Sequence, residues 1–326
     1  MIKHPLFPVV FTALFLLAGM NLSMAVWSHR LPYYKKLEEI RTTPDANLLL
    51  IGNSLLDKHV DYPTVEQAAH AQGIDIWPLN AALGASRSQD HLLLFNYALR
   101  IHPHLQTVVV GFYDLQLTLN QDLPWNRLFG NAMVGIDPRF SLDEVDSAYS
   151  FDRLSRAEFR LGRALPMVAH RHNAWKYVEL LRRSMSQIGM PAIITNSLGR
   201  AQDFAAMEGA SPQIFDEEVQ IFLNHPDRFN PSYEKILQHA QRNGMKSVLL
   251  LMPISPYHRS IFYSRPMWEQ YMKAIKRLAS QRGIRVIDGS DWISKDEYFV
   301  DHLHMAQSAV PDFSVRLGSE LAASPK

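Results

Sequence analysis

The stretch Leu48-Leu49-Leu50-Ile51-Gly52-Asn53-Ser54 decides the fold of this chain. Four consecutive large apolar residues, preceded by Asn47, read as a strand buried on both faces, because a half-exposed strand would alternate apolar with polar. The Gly-Asn-Ser that follows is a turn into a helix. Four runs of the same kind lie further along: Ile74 to Leu79, Thr107 to Val110, Ser247 to Met252 and Ile284 to Ile287. Segments of helical periodicity separate them, at Thr64 to Gln72, Gln89 to Arg100, Ser232 to Asn243 and Trp268 to Arg282. Gly73, Gly244 and Gly283 stand just past three of these helices, where a left-handed cap is expected. Alternating strand and helix predicts a parallel sheet covered by helices on both faces.

Composition bounds the chemistry. A chain of 326 residues with 47% hydrophobic residues has enough apolar surface for a large core. It has no cysteine, which removes disulfide scaffolds, Cys-ligated metal sites and thiol catalysis. Its 33 Lys and Arg against 32 Asp and Glu leave a charge of +1, so a dedicated nucleic-acid binder is not expected. There is no P-loop, no G-x-G-x-x-G and no H-E-x-x-H.

From Leu6 to Trp27 the chain runs without a charged residue, long enough for one helical crossing of a bilayer. An uncleaved anchor is the first reading, and a signal peptide cut near Ser23-Met24-Ala25 the second. Both place the residues after about 28 outside the cytoplasm, in a periplasm or beyond. The expected organisation is an anchor at 1–28, an α/β half at 29–115, a helical insertion or cap at 116–231 and a second α/β half at 232–326. The insertion has an excess of five positive charges over residues 151–190. Arg153, Arg156, Arg160 and Arg163 are spaced to share one helix face, either a surface for an anionic polymer or lipid headgroups or an ordinary solvated face. His170 and His172 have no carboxylates at metal-site spacing.

Two motifs carry chemistry. Ser54, at a strand-to-helix turn, would project its hydroxyl from the sheet edge beside backbone N–H groups; Asn53 and Ser54 equally suit helix capping. After the last strand comes Asp301-His302-Leu303-His304. A serine hydroxyl needs an imidazole to take its proton, and a carboxylate three residues before that imidazole can hold its far nitrogen.

In order and placement these motifs resemble the SGNH (GDSL-like) hydrolases. The match comprises Gly52-Asn53-Ser54 after the first strand, Gly84 in Asn80-Ala81-Ala82-Leu83-Gly84 after the second, Gly111-Phe112-Tyr113-Asp114 after the third and Asp301-x-x-His304 after the last. The resemblance implies a three-layer α/β/α sandwich, with Ser54 as nucleophile, His304 as base and Asp301 orienting it. Backbone N–H groups of Ser54 and Gly84 would form an oxyanion hole, and no metal or cofactor is needed. Asn53 replaces the family's usual Asp. Tyr113 stands where an Asn donor is usual, leaving Tyr113, Asn80 or Ser86 to supply that contact.

A tethered, outward-facing domain with a large insertion resembles the members that O-acylate surface polysaccharides, such as the alginate O-acetylation proteins and the D-alanyl transfer protein. Those partner with a multi-spanning membrane acyltransferase. The implied activity is transfer of an acetyl-like group through acyl-Ser54 to a sugar hydroxyl. A plain carbohydrate or lipid esterase and an inactive scaffold binding polysaccharide or the acyltransferase are the alternatives.

Overall fold

The computed structural model describes residues 6–119, 134–170 and 211–323. Of these, 39–119 and 211–323 form one compact unit, and 6–38 with 134–170 form another.

The first unit is built on five parallel strands: β1 (Leu48–Ile51), β2 (Pro78–Asn80), β3 (Thr107–Phe112), β4 (Lys246–Leu251) and β5 (Arg285–Asp288). Their order is β2-β1-β3-β4-β5, with Leu50 opposite Asn80 on one side of β1 and Val109 on the other. The chain therefore crosses in one direction from β1 to β2 and in the opposite direction from β3 to β5. Right-handed crossovers then put the helix Tyr62–His70 on one face and the helices Ser88–Ile101, Pro231–Arg242 and Pro266–Ser280 on the other. Leu48 and Leu50 point to the first face, where Val65, Phe313 and Leu317 complete one core, the last two from the C-terminal helix Val310–Ala322. Leu49 and Ile51 are fully buried too, so both faces are covered as the unbroken apolar run predicts.

Gly73, Gly244 and Gly283 have φ of 79°, 69° and 66°, the left-handed caps expected of them. The second strand is shorter and later than its apolar run. Beside it, the Asn47 side chain donates to Asp75 O at 3.0 Å and accepts from Trp77 N at 2.8 Å, while Trp77 O accepts from the backbone of Asn47 and Leu48, so the approach to the strand is held partly by a side chain.

In the other unit the helices are Leu6–Ser28, Leu142–Tyr149, Arg153–Ala164 and Pro166–Ala169, and its boundary with the sheet unit falls inside the helix Pro32–Thr42. Leu6–Ser28 is long and apolar enough to cross a membrane. Ser141 and Glu144 cap Leu142–Tyr149 reciprocally, and Asp152 caps Arg153–Ala164. The four-arginine face is only partly as the spacing predicts. Arg163 turns inward, where its guanidinium donates to the carbonyls of Asp137 (2.6 Å) and Phe140, while Arg153, Arg156 and Arg160 stay exposed. The expected insertion at 116–231 is also divided: 134–170 belongs to this unit, whereas the helix Pro212–Asn224 belongs to the sheet unit. Residues 171–190, with His172 and the remaining basic residues of the 151–190 count, lie outside the described residues.

Candidate active site

The strand order reverses direction at β1, and ligands of open parallel sheets gather beyond the carboxyl ends of the strands at such a switch point. Ser54 follows β1, Gly84 follows β2, and Tyr113 and Asp114 follow β3. Asn53 caps the short helix Ser54–Asp57, its Oδ1 accepting from Leu55 N at 3.0 Å, and its amide reaches Gln116 Oε1 at 3.4 Å. The capping role thus falls to Asn53, and the Ser54 hydroxyl is left for another partner.

That partner is His304. Ser54 Oγ lies 2.9 Å from His304 Nε2 across 250 positions of sequence. His304 Nδ1 lies 2.8 Å from Asp301 Oδ2. The loop between them is closed at its base by an antiparallel bridge of Phe299 with Met305, and Val300 N donates to His304 O at 2.8 Å. Asp301 folds the loop over itself. Its Oδ1 accepts the N–H groups of Leu303 (2.8 Å) and His304 (2.7 Å), the Asx-turn chemistry that favours Asp at such positions. Burial alone would raise the Asp301 pKa, but the hydrogen bonds from the His304 ring and from the two backbone N–H groups overcome it and hold the carboxyl well below the usual range. An ionised carboxylate only accepts, so His304 carries its proton on Nδ1 and presents a bare Nε2 to the serine.

Three solved structures overlap this chain at low similarity. They are the lipase/acylhydrolase from Enterococcus faecalis (13% identity, 84% of this chain and 94% of that one, TM-score 0.37), a GDSL-like lipase from Bacteroides thetaiotaomicron (10%, 89% and 98%, 0.36) and TesA (13%, 85% and 99%, 0.36). No family model and no curated protein matches the chain.

Of the two backbone N–H groups expected at the oxyanion hole, that of Gly84 has another partner. A Cβ built on Gly84 would stand 3.8 Å from Ser54 Cβ, so the glycine is beside the serine. Its N–H, however, is directed at Asp57 Oδ2 at 3.3 Å. Of the groups considered for the third donor, Asn80 accepts from Ala82 N through its Oδ1 (2.9 Å) and donates its amide to Asp57 O (3.4 Å). Ser86 Oγ is bound to Leu83 O and lies 2.8 Å from His91 Nε2. Tyr113 is half-buried at the end of β3, and burial, helped by the charge of Asp114, pushes its hydroxyl pKa up to about 12.

Several neighbours carry no mark in the sequence. His59, buried, stacks at a tilt 5.8 Å from the His304 ring with Nδ1 near the carbonyls of Ser54 and Leu55. Burial first and the nearby His304 second lower its pKa, which keeps it neutral beside the relay. Asp114 has φ of 46°, a left-handed conformation costly for any residue but glycine. Its Oδ1 is held by His258 Nε2 and by the Tyr263 hydroxyl, each at 2.9 Å. The His258 ring in turn stacks on His302 at 5.6 Å, inside the Asp301–His304 loop. Helical or loop spacing to Ser54 and Asp301 was the only available signal for these residues, and it is too common to single them out.

Beside Asn53 opens a cavity of about 300 Å³. Ser88, Gln116 and Glu218 line it together with Tyr113, Phe215 and the aliphatic side chains of Leu115, Leu119 and Ile214. Among the described residues no cluster of three or more His, Asp and Glu is arranged to hold a metal ion.

Proposed function

We propose that the protein is a membrane-tethered serine O-acyltransferase or esterase of SGNH type that moves a small acyl group through an acyl-Ser54 intermediate on a carbohydrate substrate. The observation that carries this reading is the continuous relay from Ser54 Oγ to His304 Nε2 and from His304 Nδ1 to Asp301, at 2.9 and 2.8 Å. Such an arrangement performs one task well. His304 takes the hydroxyl proton as Ser54 Oγ bonds to the ester carbonyl carbon, and the imidazolium formed is stabilised by Asp301. Collapse of the tetrahedral intermediate breaks the ester C–O bond, and the departing alkoxide takes the proton from His304 Nε2. A second hydroxyl, deprotonated by the same nitrogen, then attacks the acyl carbon; the Oγ–acyl bond breaks, Ser54 Oγ takes the proton back from His304 Nε2, and the acceptor leaves with the acyl group.

The cavity supports a sugar as the source of that second hydroxyl. Ser88, Gln116 and Glu218 offer hydrogen-bonding groups for a polyhydroxylated ring beside Tyr113 and Phe215, while Leu115, Leu119 and Ile214 in the same lining suit a short acyl chain. Transfer to a sugar is the reading we favour, and hydrolysis is the same sequence with water as acceptor. The test is labelling of the full chain by a fluorophosphonate: wild type becomes covalently modified, Ser54→Ala does not. Equal labelling of both sinks the assignment. Supplying an acyl ester donor with and without an oligosaccharide then separates transfer from hydrolysis by the acylated product formed.

A further inference from the structure

Between the short helix Pro166–Ala169 and Leu6–Ser28 the structure places a contact that neither the acyl chemistry nor the fold of the sheet unit requires. Met167 N, an unpaired donor in the first turn of Pro166–Ala169, is directed at Asn21 Oδ1 of the apolar helix at 3.3 Å. Three residues on, the His170 ring meets Trp27 edge-on at 6.2 Å and stacks with Tyr33 at 6.3 Å. The only amide inside an otherwise apolar stretch therefore satisfies a backbone group that lipid would leave without a partner.

This contact sets a depth. Asn21 precedes Trp27 by six residues, roughly 9 Å of helix rise. With Trp27 at the bilayer interface, where Trp side chains collect, Met167 lies about that far towards the acyl chains, the depth at which interfacial helices bury their apolar face.

The outward surface of Arg153–Ala164 suits that depth. Phe159 and Gly162 face inward, Gly162 close against Ala169. Outward stand Leu154, exposed by 78%, and Leu161, exposed by 49%, one above the other at a spacing of seven, with Leu165 just beyond. Arg153, Arg156 and Arg160 flank this stripe, Arg156 sharing Asp146 at 2.9 Å. Exposed leucines beside arginines with long apolar stems are what a lipid interface takes up on both counts.

We propose that residues 153–170 form an interfacial layer packed on the retained Leu6–Ser28 span, with Leu154, Leu161 and Leu165 in the acyl region and Arg153, Arg156 and Arg160 on the phosphates of anionic lipids. It rests on the membrane-tether part of the reading above and is independent of Ser54.

The chain's lack of cysteine makes the test direct. The full chain carrying Leu154→Cys, labelled there with an environment-sensitive nitrobenzoxadiazole probe, is reconstituted into vesicles of phosphatidylcholine alone or mixed with phosphatidylglycerol. The probe emission shifts to the blue, and a shallow spin-labelled lipid removes most of it in the anionic vesicles. Adding Arg153→Gln and Arg160→Gln returns the quenching to the zwitterionic level, with far-UV circular dichroism unchanged. Leu161→Cys gives the same pattern if Leu154→Cys fails to fold. A chain that floats with the vesicles but leaves its probe unquenched, or quenched regardless of lipid charge and arginines, overturns this proposal alone. A chain that does not float overturns the tether as well.

Discussion

Next to the serine, a backbone N–H that would serve a developing oxyanion is aimed at a carboxylate. Gly84 N and Asp57 Oδ2 are 3.3 Å apart, and Asp57 stands three residues beyond Ser54 on the same short helix. A full negative charge about 4 Å from a forming oxyanion opposes it by up to about 4 kcal/mol at an effective dielectric of 20. Asp57→Asn is therefore expected to speed phosphonate labelling by roughly tenfold, about 1.4 kcal/mol, whereas Ser54→Ala abolishes it. An unchanged or slower rate would mean that Asp57 holds Gly84 in place instead of blocking it. The pH dependence of the relay rests on Asp301. Its depressed pKa keeps it ionised until the pH falls below the ordinary carboxylate range, so the stabilisation it gives is present above that range and lost only in strong acid. The acid limb of the rate profile then has the slope of one proton, and Asp301→Asn lowers the labelling rate by about 10³- to 10⁴-fold by releasing the imidazole tautomer. A wild-type limb of slope two would contradict this. Ser54, Asp301 and His304 were legible because each stands in a motif with a chemical reason for its spacing. Asp57 was not, since an acid in the first turn of a helix is ordinary dipole complementation.

Among the elements, β1 and the helices flanking the sheet were legible from their apolar runs, because burial on both faces leaves no alternation to misread. The start of β2 was not, since an apolar run does not show that the Asn47 side chain binds Asp75 O and Trp77 N ahead of it. Two close approaches could not be read from the sequence either. The C-terminal helix Val310–Ala322 crosses Tyr62–His70 at Gly318, where an added Cβ would collide with the Val65 carbonyl and come within 2.8 Å of Ala68 Cβ. Gly318→Ala should cost about 1–3 kcal/mol of stability, read as a lowered melting temperature; an unchanged melting point would show that the two helices separate freely. On the opposite face His91 is fully buried in Ser88–Ile101, between Ser86 Oγ at 2.8 Å and the Tyr233 hydroxyl at 3.0 Å. Burial lowers its pKa to about 3. Between that value and about 6.5 the unfolded chain binds a proton that the folded one refuses, so stability falls as the medium is acidified through this window, by at most about 1.4 kcal/mol per pH unit. His91→Gln should be less stable at neutral pH yet show a shallower decline in melting temperature between pH 6 and 4. A parallel decline would assign the acid sensitivity to other groups.

At the scale of the whole molecule, the apolar stretch from Leu6 to Trp27 announced a span by composition alone, but composition does not tell an anchor from a signal peptide. What favours the anchor is a contact between partners 146 positions apart in sequence, Asn21 and Met167, which no local pattern links. Cleavage near Ser23-Met24-Ala25 would remove Asn21, leave Met167 N without its acceptor and strip the apolar helix from the residues packed on it. A protein whose helix Pro166–Ala169 packs on that helix has reason to keep it. The chain purified from membranes is accordingly expected to retain residues before Ser23 on N-terminal sequencing and to stay in the pellet after an alkaline carbonate wash. Asn21→Leu should leave membrane retention intact, since the span becomes more apolar, while weakening the unit by about 1 kcal/mol through the part-buried donor left unpaired. Faster proteolysis between residues 134 and 170 in the vesicle-bound variant would report that loss. A mature N-terminus at or beyond Ala25 would make the Asn21–Met167 contact irrelevant to the working protein, and the tether with it.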